Sequence, residues 1–78
     1  MKKIKVTKIT KLFGKKVKIE RVKKDLSQDD LAELSGISRP TIGAIERGEN
    51  APSIETAANI ARGLGIDLYK MFIFDDIE

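Results

Sequence analysis

A chain of 78 residues with 41% hydrophobic and 35% charged content supports one soluble globular domain with a small core. It contains no cysteine and no histidine, which excludes disulfides and thiolate metal sites and removes the commonest general base and metal ligand. The net charge of +3 hides an asymmetry: residues 1–24 hold eleven Lys or Arg and one acid, net +10, while residues 25–78 hold four and eleven, net −7. A basic first third is the kind of footprint that attracts phosphates, although it also balances the acidic remainder.

Residues 1–11 carry the β-branched Ile4, Val6, Thr7, Ile9 and Thr10 among lysines, which predicts a short strand or an extended basic arm that wraps DNA. A strand needs a partner, and the other strand-like run is Phe72–Phe74 at the start of the acidic segment 73–78. Cross-strand ion pairs would favour pairing of the two termini, within a subunit or across a dimer. Helix 1 is predicted over residues 12–24, with Phe13, Val17 and Val22 inward, Ile19 at the edge and lysines outside. Among these, Lys15, Lys16 and Lys18 would add to the electrostatic footprint.

The strongest signal is QDDLAELSGISRPTIGAIER, residues 28–47. Ser27 is a natural N-cap, Asp30 completes a short-acid capping box, and Leu26 and Leu31 form a hydrophobic staple. Leu31, Ala32 and Leu34 supply the apolar face, and Gly36 ends the helix because it tolerates positive φ. The start signal then repeats. Ile37 and Ile42 bracket the cap Ser38, Pro40 falls in the first turn where a missing N–H costs little, Ile42 and Ile45 form the stripe, and Gly48 closes the helix. Two helices joined by so short a turn cross steeply, with Ala32 and Gly36 small enough for close approach. That arrangement is a helix-turn-helix, which puts its second helix in the DNA major groove. Asn50–Ser53 is a loop and start signal for helix 4 at Ile54–Leu64, with Ile54, Ala57, Ala58, Ile60, Ala61 and Leu64 as its apolar face. Asp67 is predicted to cap a last short helix whose Leu68, Met71 and Phe72 close the core, and Tyr69 to be half-buried there or to meet a second subunit.

From about Gly14 to Phe72 the chain resembles the lambda-repressor-like Cro/XRE family. The matching residues are Ser27-Gln28-x-x-Leu31-Ala32, Gly36-Ile37-Ser38, Ile42-x-x-Ile45-Glu46-Arg47-Gly48, Pro52-Ser53-Ile54-Glu55-Thr56 and Leu64-Gly65-Ile66. The resemblance implies an all-α five-helix bundle over residues 12–72, flanked by the basic strand or arm 1–11 and the acidic tail or short strand 73–78. It also implies an Arg21–Glu46 ion pair tying helix 1 to the recognition helix, a structural role. Glu20 departs from the aliphatic residue more usual at its position.

DNA contacts are expected from Gln28, Ser38, Arg39, Pro40, Thr41, Ala44, Arg47 and Asn50. Ser38 and the first turn of helix 3 should point at base edges. Arg39 can reach O6 and N7 of guanine as a bidentate donor, with a phosphate contact as the alternative. Pro40 stands where relatives often carry glutamine or serine and offers only apolar contact, for example to a thymine methyl. Thr41 can bond a phosphate or a base, and Ala44 one turn on brings little chemistry. Gln28, at the dipole end of helix 2, matches a family phosphate contact, and Arg47 and Asn50 are further phosphate ligands.

The function expected is that of a sequence-specific, double-stranded-DNA-binding transcriptional regulator, homodimeric on an inverted repeat and cytoplasmic. No cofactor, metal, membrane span or small-molecule effector is implied, and no enzyme activity: capping explains the Asp29, Asp30 and Glu33 cluster, and no nucleophile–base pair or phosphate-cradling loop is present. The rival from another class is a protein-interaction module or antitoxin with the same fold. Arg39, Arg47 and the basic N-terminal third argue against it.

Overall fold

Each helix in this chain is too short to persist alone, so caps and packing decide where it begins and ends. A computed structural model describes residues 8–75 and Ile77. In order they form α1 (Lys8–Lys23), α2 (Gln28–Ser35), α3 (Arg39–Glu46), α4 (Ile54–Leu64) and a terminal 3-10 helix, Leu68–Phe72. Ser27 Oγ accepts from the Asp30 N–H at 2.9 Å while Asp30 Oδ2 accepts from the Ser27 N–H at 2.9 Å, completing the capping box. Ser38 and Ser53 cap α3 and α4 through the Thr41 and Thr56 N–H groups. Gly36 stops α2 at φ 72°, in the left-handed region that costs a glycine least.

The core draws Phe13 and Val17 from α1, Leu31 from α2, Ile42 and Ile45 from α3, four residues of α4, and Met71. Two close approaches set its geometry. At Gly14, α1 lies so near α3 that an added Cβ would run into the Ile45 carbonyl oxygen. At Gly63, a Cβ would stand 3.2 Å from that of Ser35, and the buried Ser35 hydroxyl donates to the Ala32 carbonyl at 3.4 Å.

The described residues are all-helical, in keeping with the all-α expectation, but several expectations need correction. The described residues form four α-helices, and the fifth element is a 3-10 helix whose flanking Asp67 makes no side-chain capping bond. α1 begins at Lys8, four residues earlier than residue 12, because Thr10, Phe13 and Val17 form one buried stripe. Residues 8–11 are therefore helix, and the remainder of the predicted N-terminal strand lies outside the described residues. Phe72 belongs to the 3-10 helix and stacks on Phe13 with centroids 5.3 Å apart; Ile73 and Phe74 form no strand. Val22 is exposed, since five residues past Val17 puts it about 140° round the helix. Leu34 is exposed because the α2 stripe runs through Leu31 and Ser35, and Tyr69 is exposed too. Ile54 lies on the α4 stripe but one turn beyond the core. Lys16, expected to add to the electrostatic footprint, is buried and paired with Glu20 at 3.5 Å.

Candidate nucleic-acid interface

The interface is built on α3, whose buried side carries Ile42, Gly43 and Ile45. At its C-terminal end the Glu46 side chain is only 3% exposed. Arg21 of α1 grips that carboxylate with both prongs, Nε to Oε2 at 2.7 Å and Nη2 to Oε1 at 3.0 Å. Its third nitrogen, Nη1, donates to the Leu26 carbonyl at 2.8 Å, which fixes the turn into α2. Gln28, first residue of α2, donates from Nε2 to Glu46 Oε1 at 3.0 Å. One carboxylate thus joins α1, α2 and α3. The hydrogen bond to Glu46 raises the Arg21 pKa further, against the opposing effect of burial.

The N-terminal end of α3 is different. Ser38 Oγ bonds Thr41 Oγ1 at 2.8 Å, so the two hydroxyls occupy each other at the cap. Arg39 has a 57% exposed side chain, and its Nε stands 3.9 Å from Asp29 Oδ1 on α2, a loose surface pair. Pro40 is exposed, while Thr41 and Ala44 are half-buried.

Past the helix, Arg47 donates Nε to Glu49 Oε2 at 2.9 Å and Nη2 to Oε1 at 3.2 Å, in full solvent. Those bonds raise the Arg47 pKa and lower that of Glu49. The Arg47 guanidinium also passes over Gly43, where an added Cβ would stand 3.0 Å from Nη1. Asn50 is exposed.

Apart from the half-buried Ala44, the expected DNA-contacting residues therefore divide into three groups. Arg39, Pro40 and Asn50 present exposed side chains at or beyond the two ends of α3, as does Arg47, which is paired with Glu49. Ser38 and Thr41 are engaged with each other. Gln28 is committed to Glu46, so only its backbone at the start of α2 keeps the N–H groups that a helix leaves unpaired there. Reading the sequence missed the Gln28–Glu46 bond and the carboxylates beside Arg39 and Arg47; the spacing of Glu49 two residues after Arg47 was the available signal. Among the described residues no cluster of acidic side chains is arranged to hold a metal, and no helix is long and apolar enough to cross a membrane.

Comparison with known proteins agrees with this geometry. Residues 17–71 match the helix-turn-helix family model, and the chain belongs to that family. An uncharacterized HTH-type transcriptional regulator of Methanocaldococcus jannaschii is 43% identical over 63 residues, covering 81% of this chain and 96% of that protein. The restriction-modification controller protein C.AhdI of Aeromonas hydrophila superimposes with a TM-score of 0.78 at 34% identity, covering 80% of this chain and 94% of its own. The controller protein C.Esp1396I, in its tetramer bound to a natural 35 base-pair operator, superimposes at 0.79 with 26% identity, covering 85% and 91%.

Proposed function

We propose that this member of the helix-turn-helix family is a transcriptional regulator that reads double-stranded DNA in sequence, as a cytoplasmic homodimer on an inverted-repeat operator. The observation that carries the reading is the asymmetry of α3. Its C-terminal end is clamped by Arg21, Glu46 and Gln28, while its N-terminal end presents Arg39 and Pro40 to solvent. A recognition helix needs that combination, rigid support behind and open side chains in front. Likeness to a controller protein bound to its operator supports the same reading.

In this mechanism the basic α1 face brings the protein to DNA and α3 enters the major groove N-terminus first. Arg39 releases Asp29 and donates both prongs to guanine O6 and N7, and Pro40 and Ala44 supply apolar contact to neighbouring bases. Ser38 and Thr41 keep the cap and offer their remaining hydrogen-bonding capacity to base or phosphate. Arg47, Asn50 and the first N–H groups of α2 at Gln28 hold the phosphates that fix register. One such domain reads few bases, so a two-fold pair of half-sites doubles the readout.

Selection from random-sequence DNA at moderate salt tests this. The expected result is enrichment of an inverted repeat with guanine at the positions facing Arg39. An unenriched pool, with only weak salt-sensitive binding, would instead favour a protein-interaction role for the fold.

A further inference from the structure

Arg39, Gly43 and Arg47 follow one another at four-residue intervals, so they fall on one side of α3 and its C-cap. Gly43 is a buried residue of that helix, yet the place where its side chain would stand faces polar groups. The three atoms nearest an added Cβ are Arg47 Nη1 at 3.0 Å, Gln28 Oε1 at 3.7 Å and Gln28 Nε2 at 3.8 Å. None of them belongs to the apolar core, and both side chains are expected at the DNA. A glycine in the middle of an eight-residue helix lowers its stability, so its use here has a cause outside helix formation.

Arg47 reaches Gly43 by turning back. Side chains of a helix run toward its N-terminus, and residue 43 is one turn before residue 47. Glu49 then takes Arg47 Nε at 2.9 Å and Nη2 at 3.2 Å. Nη1, the nitrogen over Gly43, makes no hydrogen bond among the described residues. We infer that Gly43 is a positioning residue for DNA contact. Its missing side chain leaves the space in which the Arg47 guanidinium lies, with Nη1 presented to a phosphate while Glu49 keeps the other edge. This rests on the DNA-binding reading above and names the residue that aims one of its phosphate contacts.

The gain is in reach and in order. Residues 39 and 47 are about 12 Å apart along the helix axis, but a guanidinium over Gly43 stands only about 6 Å from the level of Arg39. An arginine free in solvent loses rotamer freedom when it binds, whereas one already held at an edge has less to lose. The phosphate need not displace Glu49, because Nη1 carries two N–H groups of its own. Glu49 weakens the net attraction but fixes the direction of the donor. Any side chain at position 43 would stand in the same space. Alanine would already press on Nη1, and a longer side chain would fill the place outright. The displaced atom ends a flexible side chain, so the fold itself does not resist, unlike at Gly14, where the neighbour is backbone.

Gly43→Ala and Gly43→Met test this, with Arg47→Ala as the reference and denaturation midpoints as the folding control. In DNA-free wild type, NMR should show nuclear Overhauser contacts between the Arg47 side chain and the Gly43 α-protons. Their absence would overturn the inference whatever the DNA results. Binding to random-sequence duplex is then followed by fluorescence anisotropy over a salt series. Gly43→Met should bind about fivefold more weakly at moderate salt, with the slope of log Kobs against log salt shallower by about one. Gly43→Ala should lose less in the same direction, and Gly43→Met combined with Arg47→Ala should bind as Arg47→Ala alone does. A folded Gly43→Met with the wild-type slope would overturn the assignment, and so would a combined variant weaker than Arg47→Ala. Base preferences recovered by selection should stay unchanged in Gly43→Met, because a phosphate contact carries no sequence, and an altered preference would also overturn it. Wild-type protein that binds random DNA in a salt-sensitive way yet enriches no sequence would sink the regulator reading alone, since the salt series still decides Gly43.

Discussion

At the C-terminal end of α3, Arg21 and Glu46 meet through two short hydrogen bonds, and Gln28 closes the remaining approach to the carboxylate. At the N-terminal end, Arg39 and Asp29 stand 3.9 Å apart in solvent. Both are arginine–carboxylate pairs bridging α3 to a neighbouring helix, yet burial gives them different work. Out of water, neither partner of the first pair can be lost without leaving the other uncompensated, so the pair fixes the recognition helix on the body of the domain. In water the second pair is worth little and exchanges readily, which leaves Arg39 free to take a better acceptor. One end of the helix is an anchor, and in the proposed reading of DNA the other is the instrument.

The sharpest way to break the contrast is Glu46→Ala. It strands a largely buried guanidinium and the Gln28 amide together, and should cost about 3–4 kcal/mol of stability without DNA. Urea denaturation measures this, and an unmoved midpoint would refute the anchor. Gly14→Ala attacks the same support from beneath. Its new methyl meets the Ile45 carbonyl, a backbone atom that yields only if α1 and α3 separate. Against the helix-propensity gain of replacing glycine, we expect a net loss of about 2 kcal/mol. A neutral or stabilised variant would mean that the two helices can part at little cost.

How much of this was legible in the sequence follows the same division. Caps are local chemistry, so Ser27, Asp30, Ser38 and Gly36 were readable from spacing alone. The Arg21–Glu46 pair spans 25 positions and was legible only through family resemblance. What failed was the placement of apolar residues near the ends of α1, α2 and α4. Apolar residues near helix ends, Val22, Leu34 and Ile54, were assigned inward because a stripe extrapolated past the core looks the same as one that packs. Gln28, matched to a family phosphate contact at the start of helix 2, also donates its side chain to Glu46, a tertiary contact no local rule contains. The early start of α1 was hidden for a similar reason. Ile9 and Thr10 favour strand by propensity, and packing of Thr10 and Phe13 overrides it.

At the other end of α3, Arg39→Ala should leave the denaturation midpoint unchanged within about 0.5 kcal/mol, since the side chain is exposed and its ion pair loose. The expected loss is in binding, at the low end of about 1–3 kcal/mol of discrimination at one base position in each half-site. Repeating the DNA selection with this variant measures it. An unchanged base preference would remove Arg39 from the reading head, and a large stability loss would erase the distinction between the two ends.

Between these extremes stands Asp30, a carboxylate that is exposed and yet held. Its Oδ2 accepts from the Ser27 backbone N–H, and Ser27 Oγ accepts in return from the Asp30 N–H. The first of these bonds is the main cause that keeps the Asp30 pKa below the ordinary carboxylate value of about 3.9. A depressed carboxylate pKa stabilises the fold above the unfolded-state value, and the contribution disappears as pH falls through the lower folded-state value. Asp30→Asn keeps a side-chain oxygen that can accept from Ser27 but removes the charge. The wild type should therefore be slightly more stable than the variant above about pH 4, and the gap between their melting temperatures should close toward pH 2. The Arg47–Glu49 pair titrates on the acid side as well, Glu49 being lowered in the same direction, but it is common to both proteins and cancels in the difference. A gap constant from neutral pH to pH 2 would show that the cap acts through hydrogen-bond geometry alone. Burial would then divide the charges of this domain more strictly than the two pairs of α3 suggest, with none of the exposed ones contributing to the fold.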